Sequence, residues 1–287
     1  MVTIDRMEID DVGANPRKLA EAITKQLPDN ITSTPLLEIA KAIDIYEVRE
    51  ERLDGLEGCL IVPEDKSEGA ILVNKSQDEP RKRYTIAHEI GHYVNPMHRS
   101  SSPDGFRCTR SDMSVDSAKA GDAHAKMELE ANQFAAYLLM PDRWVTAFMR
   151  GKGVADLEHI YQMATQFEVS KEAAARKYIA KQDEPTAIVF SHNNRIRYIK
   201  KNDDFPRLSV WGGQSIPSAS LSANSTAPQG EITDVVEALG HLWLENSRNI
   251  SLGEQTVAQR NGYRMTLLTA ELDEEDEDAW EPPKFRR

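Results

Sequence analysis

The hydrophobic pattern at the start of the chain predicts two helices. In NPRKLAEAITKQLP, apolar residues recur at helical spacing from Leu19 to Leu27, and Pro28 ends the pattern. In TPLLEIAKAIDI, Thr34 is a suitable N-cap and Pro35 fits the first helical position. We therefore expect two short helices before the first strand.

Three short apolar stretches follow these helices: IYEVRE, GCLIVPE and GAILVNKS. Each is rich in Val, Ile or Leu and is bounded by Gly, Pro, Asp or Ser, which is typical of strands in a small antiparallel sheet. From about Glu79 through Val94 the pattern changes to helical spacing. The sequence thus predicts a sheet followed by an amphipathic helix.

A long segment without periodicity separates this helix from the next. Residues Asn95 to Asp122 are rich in Ser, Asp, Pro and Gly, and so long a stretch is either mobile or functional. The following KMELEANQFAAYLLMP is strongly helical, with Phe134 and Leu138 on a buried face and Pro141 at its end.

The remaining pattern predicts a helical pair and then strands. DLEHIYQMATQFEVSKEAAARKYIA is typical of two short helices, with Ser170 capping the second. PTAIVFSHNNRIRYIKK has Asn-Asn between two apolar runs, which indicates a hairpin. EALGHLWLEN fits a short helix or a strand, and NGYRMTLLTAEL fits a final strand.

These elements place the chain in the α+β class, with two domains. We expect a first domain over residues 1–182, in which helices and a small antiparallel sheet are followed by the helical pair at about 153–181. A boundary near 181–185 opens a smaller, β-rich accessory region over 183–287. ELDEEDED, residues 271–278, is a like-charge block that we expect to stay solvated.

Composition and charge exclude several classes of protein. The hydrophobic fraction of 40% and the charged fraction of 29% fit a soluble globular protein, and no apolar run approaches the roughly 20 residues that span a bilayer. The net charge of -12 argues against broad attraction to nucleic acid. The start of the chain lacks the apolar core of a secretory signal, and Cys59 and Cys108 are too few for a disulfide scaffold. We therefore expect a cytoplasmic protein with two unpaired thiols.

The motif with the clearest chemistry is HEIGH, in which two histidines lie four residues apart. On a helix, His88 and His92 lie one turn apart on one face, close enough to bind one cation. Glu89 lies about 100° round the helix, where it cannot share their coordination position but can take a proton from water at the ion. Gly91 would let another segment pack closely against the helix. The motif predicts a hydrolytic site with one Zn²⁺, although another divalent metal fits such ligands.

A catalytic zinc site needs a third protein ligand and an open fourth position. MELEAN offers Glu128 and Glu130 on the next helix. Glu128 shares a face with Asn132, so Glu128 can bind the metal while the Asn132 amide orients a ligand. Glu130 points about 160° away from Glu128, and we expect it to face solvent. Two histidines without a third ligand rank below both glutamates.

Hydrolysis also needs a hydrogen-bond donor for the developing oxyanion. The candidate donors are Tyr93, His98, His124 and Tyr137. His98 and His124 lie in and near the segment without periodicity, and either is also an alternative ligand. Exposed loop histidines are the simpler interpretation of both.

Together these segments resemble the ImmA/IrrE family of metallopeptidases. The matching stretches are RKRYTIAHEIGHYV, ELEANQFAAYLLMP and VSKEAAARKYI, so that the resemblance covers about residues 15–180. It implies a compact α+β zincin fold. The positions that it transfers to this chain are His88, His92 and Glu128 as metal ligands and Glu89 as the catalytic glutamate. The E-x-x-x-N pattern of the family falls on Glu128 and Asn132.

The resemblance also implies a substrate. Members of the family typically cleave or inactivate helix-turn-helix repressors, so we expect a protein substrate that is a repressor encoded nearby. The substrate peptide would lie extended beside an edge strand, for which GAILVNKS is our candidate. Residues 183–287 depart from the family, because they match no sensor domain that we can name.

Two other functions are compatible with parts of the sequence. QFEVSKEAAARKYIAK would be the recognition helix of a DNA-binding regulator, with phosphates faced by Lys171, Arg176, Lys177 and Lys181. The acidity of the chain and the Ala-Ala-Ala face disfavour this function. A non-catalytic module that sequesters a repressor would not need a general base, so Glu89 disfavours that function as well.

Overall fold

The computed structural model describes residues 2–28, 30–100, 105–114 and 121–272. The chain forms two compact units, Met1–Arg150 with Gln162–Ala174, and Gly151–Tyr161 with Ala175–Arg287. Each unit contains helices and strands, so the predicted α+β class is confirmed. Within the described segments, none of the helices combines the length and the apolar character that a membrane span requires.

The first unit holds a group of helices and a four-stranded sheet. Its helices are α1 (Arg6–Asp10), α2 (Pro16–Lys25), α3 (Leu36–Ala42), α4 (Glu79–Val94), α5 (Ala123–Leu139) and α6 (Asp142–Met149). Its strands are β1 (Ile45–Glu51), β2 (Gly58–Ile61), β3 (Gly69–Asn74) and β4 (Phe106–Cys108). The helical pair consists of α7 (Leu157–Phe167) and α8 (Lys171–Ile179).

Side-chain caps fix the starts of most of these helices. The carboxylate of Asp78 accepts a hydrogen bond from Arg81 N at the start of α4, and Asp122 accepts one from Ala125 N at the start of α5. Ser170 caps α8 as predicted, since its Oγ accepts from Ala173 N at 3.1 Å. The predicted cap at Thr34 is wrong: its hydroxyl donates to Leu138 O at 2.7 Å, and α3 begins without a side-chain cap.

The sheet is mixed rather than purely antiparallel. Its strand order is β1-β3-β2-β4, with β2 antiparallel to both of its neighbours and β1 parallel to β3. The predicted edge position of GAILVNKS is wrong, because this segment is β3 and lies between β1 and β2. Its continuous buried run is typical of an internal strand, whereas the short β4 comes from the segment without periodicity and ends the sheet.

Two glycines let α4 approach its neighbours closely. A Cβ added at Gly91 would lie 2.9 Å from the Phe134 ring of α5, which agrees with the predicted close packing at this position. A Cβ added at Gly58 of β2 would lie 2.4 Å from Thr85 Cγ2 and 2.7 Å from Glu89 Oε1. The HEIGH helix is therefore held between α5 and the sheet at van der Waals distance.

The second unit contains a five-stranded antiparallel sheet. Its elements are β5 (Thr186–His192), β6 (Arg195–Lys201), α9 (Leu221–Asn224), β7 (Val236–Glu237), β8 (Ile250–Ala258) and β9 (Tyr263–Leu272), and the strand order is β6-β5-β9-β8-β7. The predicted hairpin is present, with positive φ angles of 49° and 59° at Asn193 and Asn194. The fully buried Trp243 lies in the core of this unit.

The predictions for the C-terminal region hold in part. NGYRMTLLTAEL forms β9 as predicted. EALGHLWLEN begins with the last residue of β7 and contains a short 3-10 turn over Gly240–Leu242, and β8 has no counterpart among the predicted elements. Glu271 and Leu272 of the predicted acidic block end β9. Residues 273–278 of that block lie outside the described residues.

Candidate metal centre

The two histidines of HEIGH and one glutamate of α5 converge on one point. His88 Nε2 and His92 Nε2 lie 3.0 Å apart. Glu128 Oε2 lies 3.2 Å from His88 Nε2 and 3.5 Å from His92 Nε2. All three side chains are buried. The structure therefore brings together the three residues that the sequence nominates as metal ligands.

The chemistry of these groups fits a divalent cation. Burial lowers the pKa of His92 to about 3, so the imidazole is neutral and offers a lone pair. Among the described residues, no aligned hydrogen bond reaches Glu128 Oε2. A bound cation would satisfy this oxygen, and two imidazoles with one carboxylate are a donor set of catalytic zinc sites.

The Asn132 amide fixes the tautomer of His88. Asn132 Nδ2 donates to Asp112 O at 3.0 Å, which leaves Oδ1 as the acceptor for Tyr84 OH at 2.8 Å. The same Oδ1 lies 3.0 Å from His88 Nδ1, so Nδ1 carries the proton. His88 Nε2 is left with its lone pair directed at Glu128 and His92. Tyr84 was not predicted at this site, although it precedes His88 by one helical turn.

A second chain of contacts fixes the tautomer of His92. His98 Nε2 lies 3.1 Å from Glu130 Oε2, so this nitrogen donates to the carboxylate. His98 Nδ1 then accepts from His92 Nδ1 at 3.1 Å, which leaves the lone pair of His92 on Nε2. The prediction that Glu130 faces solvent is wrong, because the buried His98 folds over it. The interpretation of His98 as an exposed loop residue is wrong for the same reason.

Glu89 is the acidic side chain of this centre that is not engaged with an imidazole. It is fully buried, no aligned hydrogen bond from the described residues reaches either carboxylate oxygen, and its side chain contacts the Cys108 thiol. Burial raises the pKa of Glu89 to about 7, against the lowering effect of the neighbouring His88. A carboxyl with this pKa can both accept and release a proton near neutral pH.

Sequence reasoning did not identify Cys108 as a member of this group. One ligand atom from each of His88, His92, Cys108 and Glu128 lies within 4.8 Å of the others. Cys108 ends β4, and two residues earlier the Phe106 ring stacks on His92 with centroids 4.6 Å apart. Burial and the nearby Glu89 carboxylate raise the pKa of the Cys108 thiol well above its usual value. The F-R-C alternation is the only sequence signal for this placement, and it is too short to be diagnostic.

The candidate oxyanion donors lie in different places. Arg6 donates to the Tyr93 hydroxyl at 3.3 Å, and the Tyr137 ring stacks with Arg17 about two and a half turns beyond Glu128 on α5. His124 is 62% exposed, and its Nδ1 lies 3.8 Å from Glu128 Oε1. Of the four candidates, His124 therefore combines proximity to the ligands with access to solvent, although its Nε2 lies 3.4 Å from Asp112 Oδ1. Both ring nitrogens of His98 are engaged inside the protein.

Comparison with known proteins relates the part of the chain that contains the metal centre to a described protein family. Residues 49–178 match the family model of the M78 peptidases, which is described as the IrrE N-terminal-like domain. A solved structure described as a Mycobacterium tuberculosis transcriptional regulator has a similar fold, with a TM-score of 0.51, 12% sequence identity and coverage of 93% of this chain and 92% of that chain. No curated protein sequence matches this chain.

The matched segment contains HEIGH, β4 and the whole of α5, and thus every residue of the metal-binding group. The similarity to the mycobacterial protein, at so low an identity, concerns the fold alone. Residues 49–178 therefore match the IrrE N-terminal-like domain, and the resemblance of this chain to the ImmA/IrrE family of metallopeptidases is confirmed over that segment.

Proposed function

We propose that this protein is a zinc-dependent endopeptidase that hydrolyses a peptide bond in a protein substrate. The observation that carries the proposal is the convergence of His88 Nε2, His92 Nε2 and Glu128 Oε2, at separations of 3.0, 3.2 and 3.5 Å. The buried carboxylate of Glu89 lies near His88 and Glu128, and no aligned hydrogen bond from the described chain reaches its oxygens. Ligands and base together are the minimum that metal-assisted hydrolysis requires.

The ligands and Glu89 have separate tasks in this proposal. A divalent ion held by His88, His92 and Glu128 would, when bound, acidify water and polarise the scissile carbonyl. Glu89 accepts the proton of the attacking water and passes it to the leaving amine. Burial raises the pKa of this carboxyl and favours its protonated form, while a cation beside it would favour the carboxylate that accepts the proton. His124, at the exposed side of the ligands, donates a hydrogen bond to the developing oxyanion.

The substrate peptide would extend the sheet at β4. This strand pairs with β2 on one side and is the last of the four strands. An extended peptide can add to such an edge through main-chain hydrogen bonds. Because Phe106 and Cys108 of β4 are placed at the ligand group, a peptide at this edge would pass beside the metal-binding residues.

A helix-turn-helix repressor encoded nearby is the favoured substrate. The resemblance to the ImmA/IrrE family supports this choice, and such a substrate would place the reaction in the cytoplasm. Direct DNA binding by α8 has less support from the structure. Ala174 and Ala175 are fully buried, and Arg176 Nε donates to Tyr198 OH at 2.9 Å instead of projecting freely.

The test compares wild type with Glu89→Gln and with Glu79→Gln as a matched control. Glu79 lies on the same helix but its side chain is 77% exposed. Each protein is loaded with zinc, its metal content is measured, and it is incubated with the repressor encoded beside it. Cleavage is followed by mass spectrometry of the products.

We expect wild type and Glu79→Gln to cleave the repressor, and Glu89→Gln to lose about 10²–10⁴-fold in rate while it keeps its zinc. Cleavage at the wild-type rate by Glu89→Gln would remove the proposed base. If none of the zinc-loaded proteins cleaves the repressor but each binds it, the protein sequesters its partner without catalysis.

A further inference from the structure

We propose that the Cys108 thiolate is a fourth protein ligand that closes the metal site in its resting state. The proposal rests on the metal site of the proposed function, and it concerns a side chain to which that function gives no role. The sulfur of Cys108 and the ligand atoms of His88, His92 and Glu128 lie within 4.8 Å of one another. Small adjustments of these side chains would bring all four atoms to one ion.

The backbone of the sheet fixes the direction of this thiol. Cys108 pairs directly with Gly58, and directly paired residues of antiparallel strands project to the same face. A Cβ on Gly58 would point at Thr85 and Glu89 of α4. Cys108 therefore faces the HEIGH helix, whereas Cys59, which pairs with Arg107, projects to the opposite face of the sheet.

The surroundings of the thiol favour a cation. Cys108 is 1% exposed, and it shares its buried space with the carboxylates of Glu89 and Glu128. Among the described residues, no aligned hydrogen bond reaches Oε2 of Glu128 or either oxygen of Glu89, and Glu89 contacts the Cys108 thiol itself. Buried anionic oxygens of this kind are compensated by a metal ion or by charged partners. Thiolate sulfur is a preferred ligand of zinc, and the thiol loses its proton as the bond to the ion forms.

A fourth protein ligand would change what the site can do. Two imidazoles, a carboxylate and a thiolate would give the ion four protein ligands, as structural zinc sites have, and would leave no position for water. Hydrolysis then requires the thiolate to leave. Cys108 lies on β4, the edge at which we place the substrate, so a peptide that pairs with β4 is positioned to withdraw the sulfur.

X-ray absorption spectroscopy at the zinc edge tests this proposal on the zinc-loaded full chain. We expect one sulfur neighbour at about 2.3 Å in wild type, with nitrogen and oxygen neighbours at about 2.0–2.1 Å. The sulfur signal should be lost in Cys108→Ser and in Cys108→Ala and kept in Cys59→Ser, the other buried cysteine. Circular dichroism establishes that each variant is folded. Repressor cleavage by Cys108→Ala should exceed that by wild type.

Several outcomes would overturn the proposal. A wild-type zinc shell of nitrogen and oxygen alone excludes the sulfur ligand but leaves the proposed peptidase intact. A sulfur signal that persists in both Cys108 variants assigns the ligand elsewhere. Cleavage that does not rise in Cys108→Ala, despite loss of the sulfur neighbour, contradicts the closing role. A folded wild-type protein that binds no zinc overturns both this proposal and the proposed function.

Discussion

At the scale of single residues, the metal centre depends on which nitrogen of each histidine carries the proton. Asn132 accepts from His88 Nδ1, and the pair of Glu130 and His98 accepts from His92 Nδ1. Both arrangements leave the Nε2 lone pair free to bind an ion. The site is thus organised before the metal arrives, which lowers the cost of binding it.

Replacement of the Asn132 amide tests this organisation. In Asn132→Ala, His88 loses the acceptor for its Nδ1 proton and the Tyr84 hydroxyl loses its contact with Oδ1, so the imidazole ring is no longer held in the ligand orientation. We expect zinc affinity to fall about 10–100-fold, measured by competition with a fluorescent chelator. Gln133→Ala, an exposed neighbour on α5, is the control and should bind zinc as wild type does. Equal affinities in all three proteins would show that the amide does not orient the ligand.

The residue-scale features differ in how well the sequence predicts them. Helical spacing predicts that His88 and His92 share one face of α4. It likewise predicts that Glu128 and Asn132 share one face of α5. The same argument fails for Glu130, because its environment is created by His98, a residue of the non-periodic segment that folds back onto α5. Cys108 could not be predicted as a site residue either. It belongs to the same non-periodic segment, in a strand of only three residues.

At the scale of elements, local signals predict the ends of helices but not the direction of strands. The helix expected over about Glu79 to Val94 has those bounds, because Asp78 caps its start and polar residues follow its end. The apolar stretches of β1, β2 and β3 are also found as strands. Strand order and the parallel alignment of β1 depend on contacts between distant segments, and an alternating pattern is the same in either direction.

The contact between β2 and α4 is an element-scale feature with a measurable consequence. In Gly58→Ala the new methyl group would lie 2.4 Å from Thr85 Cγ2 and 2.7 Å from Glu89 Oε1, so helix and strand must separate. Overpacking of this kind costs about 1–3 kcal/mol, and we expect that loss in the free energy of unfolding from urea denaturation. The displaced Glu89 should also lower the rate of repressor cleavage.

The control for this prediction is Gly153→Ala, because a Cβ at Gly153 has no heavy atom within 4 Å and the residue has no positive φ. This variant should unfold at the wild-type urea concentration and retain activity. Gly58→Ala with unchanged stability would mean that α4 and β2 are not held at the observed distance.

At the scale of the whole molecule, the net charge favours the peptidase function over DNA binding. The chain carries a net charge of -12, so it repels the phosphate backbone unless a basic surface is concentrated on one side. On α8, the alanines are buried and Arg176 is engaged with Tyr198, so fewer basic side chains of this helix are available to contact DNA phosphates. The fold shared with the mycobacterial transcriptional regulator does not by itself assign DNA binding.

An electrophoretic mobility assay tests this conclusion directly. With the operator of the repressor encoded nearby and salt at about 150 mM, we expect no shift of the DNA by this protein alone. The repressor itself, which should shift the operator, is the positive control, and its shift should disappear after incubation with the zinc-loaded protein. A shift that is specific for the operator sequence and caused by this protein alone would make DNA binding, rather than peptide hydrolysis, the favoured function.

The measurement that tests the central claim most directly is the number of zinc ions bound per chain, determined by mass spectrometry of the metal content after dialysis. The variants are Glu89→Gln, which should leave the ligands intact, and Glu128→Ala, which removes the carboxylate that lies 3.2 Å from His88 Nε2. We predict one ion per chain in wild type and in Glu89→Gln, and almost none in Glu128→Ala. Folded wild type without zinc, or Glu128→Ala that retains a full equivalent, would contradict the account.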